Sequence, residues 1–196
     1  AIATRVGAKL QKPLQAGKFV RGNHLPLLKT QTRWRSMPAL PSRPLRDRIR
    51  KYHGKLAAEK ALIPNLAAGM TVALFPGCMT DRIFPEQGES IVTTLQALGV
   101  NVLFPDGLHC CGLVANNSGD ETAAIRMAKQ TINALDRLPA DLIVSGSASC
   151  VATLAQDYSH LFRDDNLWRP RAEQMARRVM DFTTFNNRGE RVPVTA

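Results

Sequence analysis

The chain has 196 residues and is 44% hydrophobic, which is enough for one domain with a sizeable core plus an appendage. It has no uninterrupted apolar run of about 18 residues, so we expect no transmembrane helix. Its net charge of +10 comes from the first third alone, because residues 1–70 hold 15 Lys and Arg against 2 Asp and Glu, whereas residues 71–196 hold 11 against 14.

Residues 1–70 are expected to be extended or loosely helical. Prolines recur along the segment, and the stretch SMPALPSRPLRDR is typical of a linker. A helix is predicted from about Leu45 to Leu62. Such a segment buries little apolar surface alone, so we expect it to lie against another domain or subunit, as a solvated basic arm or as a surface for an acidic partner or an anionic membrane face. No nucleic-acid partner is expected, because the segment lacks a basic motif with interleaved aromatic residues.

Three apolar runs in the remaining sequence predict buried strands. They are TVALFP at 71–76, VNVLFP at 100–105 and DLIVSG at 141–146. Apolar residues at helical spacing follow the first two runs. The first of these helices is expected to end before Gly99, and the second is expected to be capped by Asp120.

Two further helices are predicted, at about 150–161 and 169–185. Strands that alternate with helices in this way are typical of parallel sheets with right-handed crossovers. The fold class that we predict is α/β, a small doubly wound parallel sheet flanked by helices, with an irregular or helical basic N-terminal extension. The expected domains are an extension or linker at 1–70, a cysteine-rich domain at 71–186 and a tail at 187–196.

The four cysteines all follow predicted strands. Cys78 follows the first strand, Cys110 and Cys111 lie in the stretch GLHCCGL after the second, and Cys150 follows the third. The loops after parallel strands share the carboxyl edge of the sheet, so we expect the four thiols to converge there. A chain without a secretory signal is expected in the reducing cytoplasm, where clustered thiols favour a soft metal or an iron–sulfur cluster. The alternatives are cysteines buried as small apolar residues, or a disulfide such as Cys78 with Cys110.

Other polar residues lie near these cysteines in the sequence. His109 is expected to hydrogen-bond to loop backbone, with a role as a further ligand or proton carrier as the alternative. Asp81 and Arg82 are expected to form a surface pair. Ser145 and Ser147, close to the end of the third strand, are candidate hydrogen-bond donors to sulfur.

The cysteine spacing resembles that of the cysteine-rich CCG domain, with 31 residues between Cys78 and Cys110, a glycine after Cys111, and 38 residues between Cys111 and Cys150. That domain occurs in heterodisulfide reductase and in the iron–sulfur subunits of glycolate oxidase, anaerobic glycerol-3-phosphate dehydrogenase and the lactate-utilisation dehydrogenase complex. The stretch SASCVATLAQDYSHLF is most similar to the lactate-utilisation members. The resemblance covers about residues 71–186.

The resemblance implies a bound 4Fe-4S cluster of non-cubane type, or zinc in some members. Cys78, Cys110, Cys111 and Cys150 carry over as the ligands. It also implies electron transfer from a flavin-bearing dehydrogenase subunit that oxidises a 2-hydroxy acid, together with a ferredoxin-type iron–sulfur subunit, to a membrane quinone or another acceptor. The implied location is the cytoplasm, with peripheral contact at the inner face of the membrane as an alternative.

Three features depart from the fullest family pattern. That pattern ends in C-x-x-C, but Cys150 is followed by Val151, Ala152 and Thr153. A second CCG domain and the ferredoxin-type cysteine runs are missing from this sequence. We therefore expect a fragment of a larger protein or complex, with no complete catalytic site in this chain alone.

The leading hypothesis is an iron–sulfur electron-transfer component of a lactate- or glycolate-type oxidoreductase. The alternative is a zinc-binding structural or interaction domain without redox activity, because zinc accepts four thiolates tetrahedrally. A third hypothesis is a thiol–disulfide site at Cys110 or Cys111.

Overall fold

The computed structural model describes residues 2–21, 36–49 and 69–190. Within these ranges no helix is both long and apolar enough to cross a bilayer. The helix predicted over 45–62 is present as far as residue 49, and the rest of that prediction lies outside the described residues, as does the tail beyond residue 190.

The basic N-terminal segment forms several short regular elements. In chain order these are helix α1 (Ile2–Leu10), a 3-10 turn (Lys12–Leu14), strands β1 (Gln15–Ala16), β2 (Phe19–Arg21) and β3 (Ser36–Pro38), and helix α2 (Leu45–Ile49). The three strands make a small antiparallel sheet in the order β1-β2-β3. The described part of the extension therefore contains strands that the sequence analysis did not predict.

A parallel sheet with crossover helices forms the rest of the described chain. Its elements are β4 (Thr71–Leu74), α3 (Gly77–Arg82), α4 (Pro85–Ala97), β5 (Asn101–Leu103), α5 (Leu113–Asn117), α6 (Glu121–Asp136), β6 (Leu142–Ser145), α7 (Ala148–Ala152), a π-helical turn (Thr153–Asp157), α8 (Tyr158–Leu161), α9 (Trp168–Ala176), β7 (Val179–Asp181) and α10 (Phe182–Glu190). The strand order is β5-β4-β6-β7, and each neighbouring pair is parallel. The predicted α/β class is confirmed.

Alternation along β4 separates two hydrophobic cores. Val72 and Leu74 belong to the core that includes α4, whereas Ala73 and Phe75 belong to the core that includes α6. All four side chains are fully buried, because successive residues of a strand point to opposite faces of a sheet that helices cover on both sides. This two-sided arrangement confirms the doubly wound architecture.

The direction of chain winding changes at β4. The first crossover leads from β4 to β5 at one edge, and the next one returns past β4 to β6 on its other side. The loops after β4 and β6 therefore diverge to opposite faces of the sheet. In open α/β sheets such a divergence opens a crevice at the carboxyl edge, where ligands bind.

Two predicted helix boundaries are confirmed. The Asp120 carboxylate accepts a hydrogen bond from the backbone N–H of Ala123 (3.0 Å), which caps the start of α6. Gly99 follows the end of α4 with a φ of 75°, the left-handed conformation that glycine adopts readily after a helix.

The single helix predicted over 169–185 is wrong. Residues 179–181 form β7, which separates α9 from α10 and pairs with β6. The backbone N–H of Ile143 donates to the Arg178 carbonyl at 2.7 Å. Strand β6 needs a partner on its free edge, and this pairing overrides the local helical pattern.

Helix α2 packs on the parallel sheet domain. Leu45 and Ile49 are 0% and 1% exposed and share a core with β4 and α4. Gly88 of α4 makes this contact possible, because a Cβ there would lie 2.2 Å from a Leu45 methyl carbon. The domain boundary at residue 70 stays a prediction.

The Leu45–Gly88 contact can be tested by a double-mutant cycle. Leu45→Ala should lower the free energy of unfolding by about 2–5 kcal/mol, and Gly88→Ala by about 1–2 kcal/mol through overpacking. The double variant should be at least about 1 kcal/mol more stable than the sum of the two losses, because the new methyl occupies the vacated space. Urea unfolding measures the free energy of unfolding of the three variants, and Ser90→Ala on the exposed side of α4 is the control. Strictly additive losses in the double variant would contradict the contact.

Candidate functional site

Cys78 lies in the first turn of α3, directly after β4. The preceding residue, Gly77, has a φ of 69°, a conformation that side-chain-bearing residues rarely adopt. A Cβ at Gly77 would lie 2.9 Å from the Sγ atom of Cys150. Glycine at this position therefore lets the loop after β4 approach the loop after β6 closely.

The adjacent cysteines lie in the loop between β5 and α5. Cys110 is half-buried and Cys111 is buried. Gly112 follows with a φ of 91°, and its backbone N–H donates to the Cys110 sulfur at 3.5 Å. A Cβ on Gly112 would lie 3.4 Å from the Ala124 carbonyl oxygen in α6. The glycine of the motif therefore turns the chain into α5 and allows the cysteine loop to pack against α6.

Cys150 lies in α7, just after β6, and is buried. The thiol of Cys111 donates a weak hydrogen bond that lowers the pKa of Cys150, and the Ser147 hydroxyl acts in the same direction, against the effect of burial. Ser145 is buried at the end of β6, and its hydroxyl accepts a hydrogen bond from the Ser147 backbone N–H at 3.2 Å. Of the two candidate serines, Ser147 is therefore the one that lowers the pKa of Cys150.

The four cysteines interact with one another. Burial raises the pKa of Cys78, and the neighbouring thiol of Cys110 adds to this effect. The hydrogen bond to Cys150 raises the pKa of Cys111, and burial acts in the same direction. The structure thus brings together thiols from three loops at the carboxyl edge of the sheet, while their role as ligands stays a prediction.

The thiols are arranged in pairs. Cys78 interacts most strongly with Cys110, and Cys111 with Cys150. Within the described ranges, no group of three or more His, Cys, Asp or Glu side chains is arranged to hold a metal ion. Each of these hydrogen bonds needs a protonated thiol as its donor, whereas metal binding requires deprotonated thiolates.

His109 lies on the exposed side of the cysteine loop. Its side chain makes no hydrogen bond to any residue that the structure describes, so the expected contact with loop backbone is not found there. The cysteines, rather than His109, therefore form the buried part of the site.

Comparison with known proteins assigns the segment that carries this site. Residues 72–155 match the family model described as the cysteine-rich domain, CCG. These residues are a CCG domain. The match runs from the second residue of β4 to beyond the end of α7 and contains all four cysteines, so the CCG domain includes every thiol of the site.

The curated relatives share a name and extend beyond this chain. Lactate utilization protein A of an Exiguobacterium species is 43% identical over 114 residues, which are 58% of this chain and 46% of the relative. The Bacillus velezensis protein of that name is 40% identical over 116 residues (59% and 48%), and Lactate utilization protein A 2 of Bacillus cereus is 38% identical over 116 residues (59% and 47%). The chain spans about half the length of these relatives. No solved structure is significantly similar to it.

Tyr158 supports the backbone of the CCG loop. Its hydroxyl donates to the Cys111 carbonyl at 2.7 Å, and the residue is 2% exposed in the core that includes α6 and α9. Burial raises the pKa of Tyr158, against a hydrogen bond from Thr131, so the phenol remains a neutral donor. The sequence analysis missed this residue, because a tyrosine in a helical pattern carries no sign of a partner 47 positions away.

Arg46 links α2 to α3 and to the cysteine loop of the CCG domain. Its guanidinium contacts the Asp81 carboxylate at 2.6 Å and donates to the Leu108 carbonyl at 3.0 Å, just before the vicinal cysteines. Asp81 lies in α3 with Cys78, and its side chain is 2% exposed. The expected pairing of Asp81 with Arg82 is confirmed, but its expected surface position is wrong. They do contact each other at 3.0 Å, but Asp81 is buried because Arg46 covers it.

We predict that Tyr158→Phe lowers the free energy of unfolding by about 1–2 kcal/mol, because the Cys111 carbonyl loses its buried donor. Urea denaturation measures the change. His160→Ala, on the exposed side of the same helix, should change stability by less than about 0.5 kcal/mol. Equal effects of the two substitutions would argue against the hydrogen bond.

Arg46 and Arg48 offer a matched pair of variants, because their side chains are 24% and 22% exposed. Arg46→Leu should lower the free energy of unfolding by about 2–3 kcal/mol. This is somewhat below the usual loss on breaking a buried ion pair, because Arg82 still contacts Asp81. Arg48→Leu should cost at most about 1 kcal/mol, because its partners Glu86 and Glu89 are 68% and 34% exposed. Denaturant unfolding compares the variants. Adding Asp81→Leu to the Arg46→Leu variant should restore part of the lost stability, because no buried charge is then left without a partner. A further loss of stability in the double variant would contradict a buried ion pair.

Proposed function

We propose that this chain is an iron–sulfur component of a lactate-utilisation system and that its CCG domain carries electrons. The observation that carries the proposal is the gathering of four thiols from three loops at the crevice of the sheet. The relatives named Lactate utilization protein A support the assignment to lactate metabolism.

The residues present fit a sulfur-bound metal group. Thiolates are the ligands that iron–sulfur clusters use, and hydrogen bonds to sulfur tune such clusters. The Gly112 N–H already donates to the Cys110 sulfur, and the Ser147 hydroxyl lowers the pKa of Cys150. Gly77 leaves room beside Cys150, because a side chain there would reach that sulfur.

Cys78, Cys110, Cys111 and Cys150 would hold the cluster. When bound, a 4Fe-4S cluster supplies a centre that accepts and releases single electrons. The position that completes C-x-x-C in the fullest pattern is Thr153, which is buried and donates its hydroxyl proton to the Ser149 carbonyl at 3.0 Å. We therefore propose four thiolate ligands from this chain and do not include Thr153.

The oxidation of the hydroxy acid is assigned to a partner. We propose a flavin-bearing dehydrogenase subunit as the electron donor, a ferredoxin-type iron–sulfur subunit as a second partner, and a quinone or another carrier as the acceptor. The chain spans about half of its relatives, so these roles belong to the assembly rather than to the CCG domain alone.

Zinc is the second candidate for the same thiols. Four cysteines match the tetrahedral thiolate set of structural zinc sites, and two of them, Cys111 and Cys150, are buried as in a closed site. A zinc-bound CCG domain would act as a structural or interaction module without redox activity.

A thiol–disulfide site is the third candidate function, because Cys110 is only half-buried and its sulfur is therefore partly open to a reactant.

Metal analysis of anaerobically purified protein tests the proposal. The wild type should contain iron and acid-labile sulfide, with broad visible absorbance that bleaches on reduction, and Cys110→Ser with Cys111→Ser should lose all three signals. His109→Ala changes the neighbouring residue without removing a thiol and should retain them.

The other outcomes distinguish the candidates. One zinc ion per chain without acid-labile sulfide would overturn the iron–sulfur proposal and support the zinc-binding domain. Iron retained at wild-type level in the double serine variant, with circular dichroism showing an intact fold, would contradict the proposed ligands.

A further inference from the structure

A basic groove lies between the N-terminal segment and the CCG domain. One wall is α1 with the turn before β2, another is formed by residues 38–43, and the third is the corner between α3 and α4. Its volume is about 970 Å³. This is the upper limit of the usual range for small-molecule sites, which is about 300–1,000 Å³.

Positive charge dominates the walls of the basic groove. Its lining includes five exposed cations, which are Arg5, Lys9, Lys12, Lys18 and Arg43. The sole carboxylate among the lining residues, Glu86, already pairs with Arg48. Arg5 pairs with Asp47, whereas none of the other four lining cations makes an ion pair within the part of the chain that the structure describes.

The cations form a row along one wall. Arg5 and Lys9 are one helical turn apart in α1, and Lys12 follows in the next turn. The row from Arg5 to Lys12 is about 10 Å long if each residue advances by about 1.5 Å. A single small anion is bound by donors that converge on one point, whereas a row matches carboxylates spread along an extended chain.

Apolar side chains also line the basic groove. Phe19 is 50% exposed at the rim, and Leu40, Ile83 and Phe84 are half-buried in the walls. An exposed aromatic ring within a polar rim is typical of a protein-binding surface. A flat bilayer surface would meet the rim but not the walls of such a groove.

Helix α3 connects the basic groove to the cysteine site. Ile83 and Phe84 directly follow α3, the helix that begins beside Cys78, and the backbone N–H groups of both bond to the Met79 carbonyl. The wall is therefore about 7–8 Å along the helix from Cys78, at about 1.5 Å per residue. A partner bound in the groove would contact the far end of the helix that carries Cys78.

We propose that the basic groove binds an extended acidic segment of a partner protein. Carboxylates of the segment contact the row from Arg5 to Lys12 and the neighbouring Lys18, and an apolar side chain of the segment packs on Phe19. The proposal requires neither a bound cluster nor lactate chemistry, so it stands apart from the proposed function.

A labelled synthetic peptide of glutamates interspersed with leucines is the probe, and fluorescence anisotropy on the full chain is the measurement. The triple variant Lys9→Ala, Lys12→Ala, Lys18→Ala should bind it about tenfold more weakly, as expected for the loss of three exposed charge contacts. The control triple Arg126→Ala, Arg137→Ala, Arg177→Ala removes the same charge from exposed sites elsewhere and should bind within about twofold of wild type. Replacing the three lysines by arginine should retain binding.

The apolar contact has its own test. Wild type should bind the leucine peptide more tightly than a peptide with serine in place of leucine, and Phe19→Ala should bind the two peptides alike. A preference that persists in Phe19→Ala would overturn the placement of the apolar side chain.

Three results would overturn the basic groove as a site for an acidic protein segment. The first is equal weakening in the groove triple and the control triple, which would indicate attraction by net charge alone. The second is tighter binding to vesicles of equal parts phosphatidylserine and phosphatidylcholine than to the peptide, lost in the groove triple. The third is a self-association of the wild type, seen by analytical ultracentrifugation, that the groove triple abolishes.

Discussion

The site depends on the close approach of two loops at the point where the sheet reverses its winding. Gly77 follows β4 in a left-handed conformation, and the space that its side chain would occupy lies 2.9 Å from the Cys150 sulfur. Any larger residue would separate the loop that carries Cys78 from the loop that carries Cys150. The vicinal cysteines enter from β5, next to β4 in the sheet, so the same crevice receives thiols from three strands.

Residues outside the matched CCG segment hold these loops in place. Arg46 spans from Asp81, on the Cys78 helix, to the Leu108 carbonyl before the cysteine pair, and Leu45 beside it is fully buried against α4. Tyr158 holds the other side of the loop through the Cys111 carbonyl. The N-terminal segment thus contributes to the stability of the thiol site and also forms two of the three walls of the basic groove, so two functions that we propose share one structural support.

The fold class could be predicted because β4, β5 and β6 are apolar runs separated by helical patterns, and such alternation has few topological solutions. Strand β7 could not, because residues 179–181 are too short a run to stand out from the helical pattern on either side and become a strand only by pairing with β6. The positions of the cysteines after strands predicted their convergence at the carboxyl edge. Arg46 and Tyr158 were out of reach, because each acts on a backbone carbonyl far away in the chain, 62 and 47 positions respectively.

The sequence by itself determined which side chains carry the chemistry, the parallel sheet that gathers them, and the excess of positive charge in the first third of the chain. These properties follow from residue type and local pattern, which any stretch of chain carries with it. The tertiary structure decided which thiols form hydrogen bonds with each other, which carboxylate is buried, and which cations line the basic groove. Such properties depend on the distances between side chains from separate segments, and packing sets those distances only when the whole chain folds.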